Sequence, residues 1–393
     1  VADELAFALI NPYTLRKSRT GGVIARLITL TGLELVAARI FCPSQELAER
    51  YAALLRENED VDPASRPILA DYVEHAYTPD PRTGRGHRVM MLLFRGEDAI
   101  GKIRRATGGL RQDTGSAETV RATYGDYVVD DSGELIYLEP AVMIETSRES
   151  VARTLGLWAE YSARDGGLQE RAGDVDAGDE VQTTLVLIKP DNFRFPSSRP
   201  GNIIDLFSRS GLRIVGAQVH RMTVSEALEF YGPVREVLRE KLRSKAAELA
   251  SSAVEHELGF TIPDEVRGRL ADELGPLYAD DQFYRIIRFM TGMWVPDVPE
   301  KDRSLPGRER CLAIVYKGRH AIDRIRSILG PTDPDKAEPG SVRREFGRDI
   351  MVNAAHASDS PDNAARELNI IRVEKDTIRS WYEAYYETPK KEG

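Results

Sequence analysis

The chain has 393 residues, enough for two to three domains, and its 54 Lys+Arg against 63 Asp+Glu leave a net charge of −9. A surface negative overall repels phosphate backbones and anionic lipid heads, which argues against nucleic acid or a membrane as the main partner but leaves room for local basic pockets that take small anions. With only Cys42 and Cys311, no apolar run of the ~20 residues a membrane span needs, and no basic start in Val1-Ala2-Asp3-Glu4, the chain excludes a disulfide framework and a cysteine-rich zinc site and is expected to be cytoplasmic with buried thiols.

In chain order, a β-rich run Leu5–Ile10 is stopped by Pro12, an amphipathic helix follows from Gly22 to Ile28 with Gly32 as its left-handed cap, and Leu33–Ile40 reads as a strand. The same succession returns in Thr183-Thr-Leu-Val-Leu-Ile-Lys-Pro190, Gly201–Phe207, Gly211 and Leu212–Val219, at an offset of 178 residues in the first strand and 179 from the helix onward. Further on, Phe94-Arg-Gly-Glu-Asp-Ala-Ile100 answers Tyr316-Lys-Gly-Arg-His-Ala-Ile322 at an offset of 222, which also pairs Arg104 with Arg326, Gly108 with Gly330 and Arg121 with Arg343. The change of offset places 43 extra residues in the second copy, near Val234 to Asp281, where the periodicity predicts two inserted helices. The Gly-, Asp- and Glu-rich stretch 159–180 reads as a solvated linker.

The expected architecture is therefore an α/β (α+β) sandwich of two ferredoxin-like βαββαβ domains with antiparallel sheets, residues 1–158 and 181–393, the second carrying a helical insertion at about 234–281. Gly96-Glu-Asp-Ala-Ile-Gly-Lys-Ile103 has P-loop spacing, but Ile103 stands where a Ser or Thr must hold magnesium, and a strand-turn-helix junction is the better reading. Of the six histidines, His356 is distinguished by its setting. It closes a short apolar strand, and Ser358-Asp-Ser-Pro-Asp after it reads as a helix start, so the imidazole is expected at an exposed edge on a rigid backbone.

The string Asn353-Ala-Ala-His356-Ala-Ser-Asp-Ser360 resembles the active-site signature of nucleoside diphosphate kinases, and the likeness extends over most of both copies. In that family a histidine takes the γ-phosphoryl of a nucleoside triphosphate and passes it to a diphosphate. The resemblance implies His356 as nucleophile, Lys189, Arg326, Thr332 and Arg343 (with Arg344 adjacent) on the phosphates, Tyr231 near the histidine, and Phe283 (with Tyr284 next to it) as the aromatic under the base. It further implies Asn353 on the sugar hydroxyl and Ser358 and Glu367 as supports of the imidazole. It also implies magnesium on the nucleotide phosphates, broad base tolerance, and assembly into homo-oligomers. Fixed positive charge and an oriented imidazole are what phosphoryl transfer through a phosphohistidine asks of a protein.

The first copy departs from this pattern. Asn11 replaces the lysine, Leu69 the stacking aromatic, and no histidine lies between His87 and His220; Glu134 falls at the nucleophile's place without a gap, and Glu145 does so if Asp130 to Leu138 is an inserted hairpin. Tyr51, Arg104 and Arg121 are retained, and the copy is expected to be catalytically dead. Two functions follow: an active kinase with a built-in inactive partner, or a nucleotide-binding scaffold whose inserted helices occlude the cleft. The aromatic tail Trp381–Tyr386 is expected to pack as a helix on a domain or a neighbouring chain.

Overall fold

The computed structural model describes residues 3–111 and 117–387. Among these, ten strands form two four-stranded antiparallel sheets and a separate hairpin. The strands are β1 (Asp3–Ile10), β2 (Glu34–Phe41), β3 (Val89–Glu97), β4 (Asp126–Val129), β5 (Leu135–Glu139), β6 (Val142–Met143), β7 (Val181–Ile188), β8 (Arg213–His220), β9 (Cys311–Arg319) and β10 (Ala355–Ala357). The sheets run β2-β3-β1-β6 and β10-β7-β9-β8. Each places its first and third strands centrally and its fourth beside its first, the order of a ferredoxin-like βαββαβ fold. Strands β1, β3, β7 and β9 carry the apolar runs Leu5–Ile10, Val89–Phe94, Leu185–Ile188 and Cys311–Tyr316, all buried, as central strands require.

Two compact units make up the chain, residues 1–220 with 312–393, and residues 221–311. In the first unit, both sheets share one apolar core, and the edge strands β2 and β8 lie against each other. Helices Thr20–Thr31 and Arg199–Ser208 cross at a pair of glycines. A Cβ on Gly201 would lie 2.2 Å from the carbonyl oxygen of Gly21, so only hydrogen atoms fit between the two backbones. Stretch 159–180 is not a solvated tether. Its first part finishes helix Arg148–Asp165, Ala172 and Val175 are buried, and Asp174 receives both arms of Arg88 at 2.9 and 2.6 Å. Its acidic composition reflects a charge partner rather than exposure. The junction Gly96–Ile103 is a strand-to-helix turn through Asp98 at φ 51°, repeated at His320 with φ 52°. The aromatic tail packs on the first sheet, with Tyr385 Oη donating to Asp3 Oδ2 at 2.7 Å and Tyr386 Oη donating to the Leu5 carbonyl.

The second unit is a hairpin of helices Val224–Leu258 and Asp264–Thr291 with the loop that follows. Thr223 and Glu226 close a capping box at its start, and Gly259 at φ 70° ends the first helix. In the first half of the chain, helices Gln45–Glu57 and Ser65–Tyr77 have 13 residues each against 35 and 28 here. Residues 234–281, expected as two inserted helices, lie within these two long helices and their turn and form no separate elements. Both thiols are pushed up to about 12 by burial, which leaves them poor nucleophiles. Among the described residues no helix is long and apolar enough to cross a membrane.

Candidate active site

His356 is the middle residue of β10 and pairs with Leu187 of β7, which fixes its backbone against a central strand. Its side chain is 23% exposed, while that of Glu367 is 5% exposed. The imidazole Nε2 lies 2.9 Å from Glu367 Oε2, and Ser358 Oγ donates to the same oxygen at 2.7 Å. Glu367 faces the strand because it stands on helix Pro361–Ile371, whose start Ser360 caps by accepting from the Asn363 N–H. A carboxylate can only accept, so Nε2 carries the proton and the in-plane lone pair of the neutral ring sits on Nδ1. The tautomer and ring plane of this imidazole are thus set by its neighbours.

Lys189 follows the last residue of β7, where Pro190 ends the ladder. Its N–H donates to Ala354 O at 2.9 Å, and its ammonium donates to Asn353 Oδ1 at 2.6 Å. Burial, and secondarily repulsion from Arg343, lowers the ammonium to about 8. Arg343 donates to Gly330 O at 2.9 Å and Ala355 O at 3.3 Å, which clamps its guanidinium across the strand carrying His356. Asn353 Nδ2 donates to Thr332 O at 3.2 Å and Ile350 O at 2.7 Å. Two hydrogen-bonded groups, Lys189–Asn353–Thr332 and His356–Glu367–Ser358, thus lie at one sheet edge, with Arg343 bonded to the Ala355 carbonyl between them. Arg326 is exposed on the neighbouring helix Ala321–Leu329 and helps hold the Asp359 carboxyl below its usual range, after the larger effect of Asn363.

Tyr231 and Phe283 belong to the second unit. Phe283 is 1% exposed, with the Arg235 guanidinium 5.6 Å from its ring centroid, while its neighbour Tyr284 is half-buried. Two residues escaped the sequence reading. Asn192 donates to both Lys189 O and Ala354 O, at 3.1 and 2.9 Å, locking together the two loops that hold the site; a buried Asn just after a strand-ending proline was the available signal. Ala354 adopts φ 68°, a left-handed conformation costly for a residue with a Cβ, and no side-chain pattern announces it.

The first copy requires two corrections. Met143 pairs with Leu9 as His356 pairs with Leu187, so Met143, not Glu145 or Glu134, stands at the position that matches His356. The flanking bonds agree: Asn11 N–H donates to Ala141 O at 3.0 Å, and Arg121 donates to Gly108 O and Val142 O at 3.1 and 3.3 Å, matching Lys189 and Arg343. The inserted hairpin is real, as β4 and β5, but it ends at Glu139. Counted from the capping residues Ser44 and Thr223, moreover, Tyr51 corresponds to Phe230, and Ala52 to Tyr231.

Residues 307–377 match the model of the nucleoside diphosphate kinase family. The chain is 29% identical over 188 residues to the nucleoside diphosphate kinase of Bdellovibrio bacteriovorus, covering 48% of this chain and 90% of that protein. It is 28% identical over 201 residues to that of Staphylothermus marinus, covering 51% of this chain and 99% of the relative. A crystal form of the Aquifex aeolicus nucleoside diphosphate kinase is 28% identical and covers 49% of this chain and 94% of that one, at a TM-score of 0.30. Residues 307–377 are thus similar to the nucleoside diphosphate kinase family, and the alignments with these relatives span about half of the chain.

Proposed function

We propose that the protein is a nucleoside diphosphate kinase that works through a phosphohistidine on His356. The observation that carries this reading is the Glu367–His356 pair at a sheet edge that also holds Lys189 and Arg343. Nδ1 attacks the γ-phosphorus, the bond to the β,γ-bridging oxygen breaks, and the nucleoside diphosphate leaves. A second diphosphate then attacks with its terminal β-phosphate oxygen, and the N–P bond breaks. Glu367 stabilises the positive charge that the imidazole gains as Nδ1 bonds to phosphorus. Lys189, Arg326 and Arg343 answer the charge on the equatorial oxygens, and the arginine fork suits phosphate.

Magnesium is best treated as part of the nucleotide substrate. The Glu367 carboxylate is already engaged by two donors, and among the described residues no three His, Cys, Asp or Glu side chains converge as a metal cage. Residues 1–158 and 181–393 are read as two copies of one domain, the first without transfer chemistry, paired through β2 and β8 as a covalent dimer that assembles further as a cytoplasmic oligomer. The scaffold reading has one observation in its favour, the burial of Phe283 under Arg235. Incubation with γ-labelled ATP and magnesium separates the two. Label that is lost in acid, survives base, moves to added GDP and is absent in His356→Ala supports the kinase. ATP binding without label supports the scaffold.

A further inference from the structure

The first half of the chain contains a cavity of about 420 Å³ that the proposed chemistry does not use, within the roughly 300–1,000 Å³ typical of small-molecule sites. Tyr13 comes to it from the short helix after β1, Tyr72 from helix Ser65–Tyr77 and Tyr137 from β5, and Arg16 and Arg85 stand in the same wall. The wall containing Tyr137 is peculiar to this half. Nineteen positions separate Arg121 from Pro140, where ten separate Arg343 from Asn353, and the difference is the hairpin β4–β5.

The acids around the cavity are committed to the wall. Asp80 Oδ1 accepts from the Arg82 and Thr83 N–H groups at 2.8 and 2.9 Å. Asp174 is held by Arg88. Glu139 accepts from Asn11 at 3.2 Å, Tyr72 at 2.8 Å and the Ala141 N–H at 3.0 Å. The cations are differently placed. Among the described residues Arg16 and Arg85 form no ion pair, and Arg16, Lys17 and Arg19 surround the Tyr13 ring at 5.6, 5.5 and 5.7 Å from its centroid. Flat aromatic walls beside guanidinium groups that no acid neutralises fit a ligand with a planar ring at one end and negative charge at the other. A bare phosphate would leave the tyrosines wet, and an uncharged ring would leave the arginines unanswered.

We propose that this cavity is a second, non-catalytic nucleotide site that takes a nucleoside diphosphate, its base among Tyr13, Tyr72 and Tyr137 and its phosphates on Arg16 and Arg85. The site does not depend on phosphoryl transfer at His356, so the test uses the 393-residue chain carrying His356→Ala. It is irradiated with magnesium and 8-azido-ADP, and the labelled peptides are identified by mass. The expected result is label on peptides bearing Tyr13, Tyr72 or Tyr137, competed by ADP but by neither pyrophosphate nor adenosine alone at equal concentration. Arg16→Ala/Arg85→Ala is expected to reduce that label at least tenfold while label within 181–393 is unchanged, and Tyr137→Ala, at an exposed position, to reduce it severalfold. No label within 1–180, undiminished label in the double variant, or competition by pyrophosphate as strong as by ADP would each overturn the proposal.

Discussion

Glu367→Gln is the sharpest perturbation of the proposed chemistry because it removes charge and little else. Glu367 Oε2 accepts from both His356 Nε2 and Ser358 Oγ. An amide oxygen has two lone pairs and can accept both, so the ring's position and tautomer survive. A hydrogen bond to a charged group contributes about 1.5–3 kcal/mol and a neutral one about 0.5–1.5, so about 1–2 kcal/mol is forfeited at the imidazole. The loss falls on the transition state, where the ring becomes cationic. At about 1.4 kcal/mol per factor of ten, phosphohistidine formation slows roughly 5- to 30-fold. Glu367 is 4% exposed, so bulk water does not replace the missing charge. Rapid-quench measurement of label transfer from ATP in a single turnover reads the rate directly, with ATP affinity measured alongside. A rate within twofold of the parent would refute the argument that the carboxylate answers charge on the ring.

Four further outcomes are expected. Lys189 is lowered to about 8 by burial and by Arg343, so kcat/KM falls as pH rises through about 8 and the ammonium loses its proton; Lys189→Gln starts lower and lacks that limb, whereas an identical alkaline limb in both would assign it elsewhere. The same depression leaves the unfolded chain holding a proton that the native state has released between about pH 8 and 10.4, so this group's contribution to stability rises with pH across that window. Met143→His in a His356→Ala background takes up no label, because Asn11 and Thr154 stand where the proposed chemistry needs Lys189 and Glu367; acid-labile label at residue 143 would show that the rest of that site still works. Gly201→Val drives a side chain into the Gly21 carbonyl and costs about 1–3 kcal/mol as overpacking, measured as a lower urea midpoint; an unchanged midpoint would mean that the two helices do not meet at these glycines.

The antiparallel sheets and the helix start after His356 were legible because each rests on a local rule. Apolar runs ended by prolines, glycines at left-handed positions and a serine-rich helix start all survive folding as written. The register of the first copy's last strand was not legible. Met143 and Glu145 are two residues apart and share a face of an extended chain, so either could be set against His356. Only the pairing of Met143 with Leu9 decides between them. The hairpin boundaries were obscured for a different reason: Pro233 lies inside helix Val224–Leu258, where a proline usually marks an end. Composition misled at 159–180, since Asp174 is acidic in order to hold the buried Arg88.

The register correction also changes what the retained residues of the first copy mean. Aligned on Met143 and His356, Glu145 corresponds to Ser358 and Thr154 to Glu367. Thr154 Oγ1 donates to Glu145 Oε1 at 2.9 Å, where Ser358 Oγ donates to Glu367 Oε2, so hydroxyl and carboxylate have exchanged strand and helix. Asn58 donates to the other Glu145 oxygen at 2.6 Å, and burial raises this carboxyl to about 7. A buried polar pair must be satisfied whether or not it does chemistry, and the exchange satisfies it with no imidazole to orient. Arg121 follows the same logic, since its bonds to Gly108 O and Val142 O reproduce those of Arg343 and tie a helix end to the last strand. The left-handed alanines, Ala141 at φ 59° and Ala354 at φ 68°, recur in both halves as well. Persistence of Arg121 is therefore explained by the fold alone and is no argument for phosphate at that edge, whereas Lys189, His356 and Glu367, which have no counterpart in the first half, are the residues that the proposed chemistry demands.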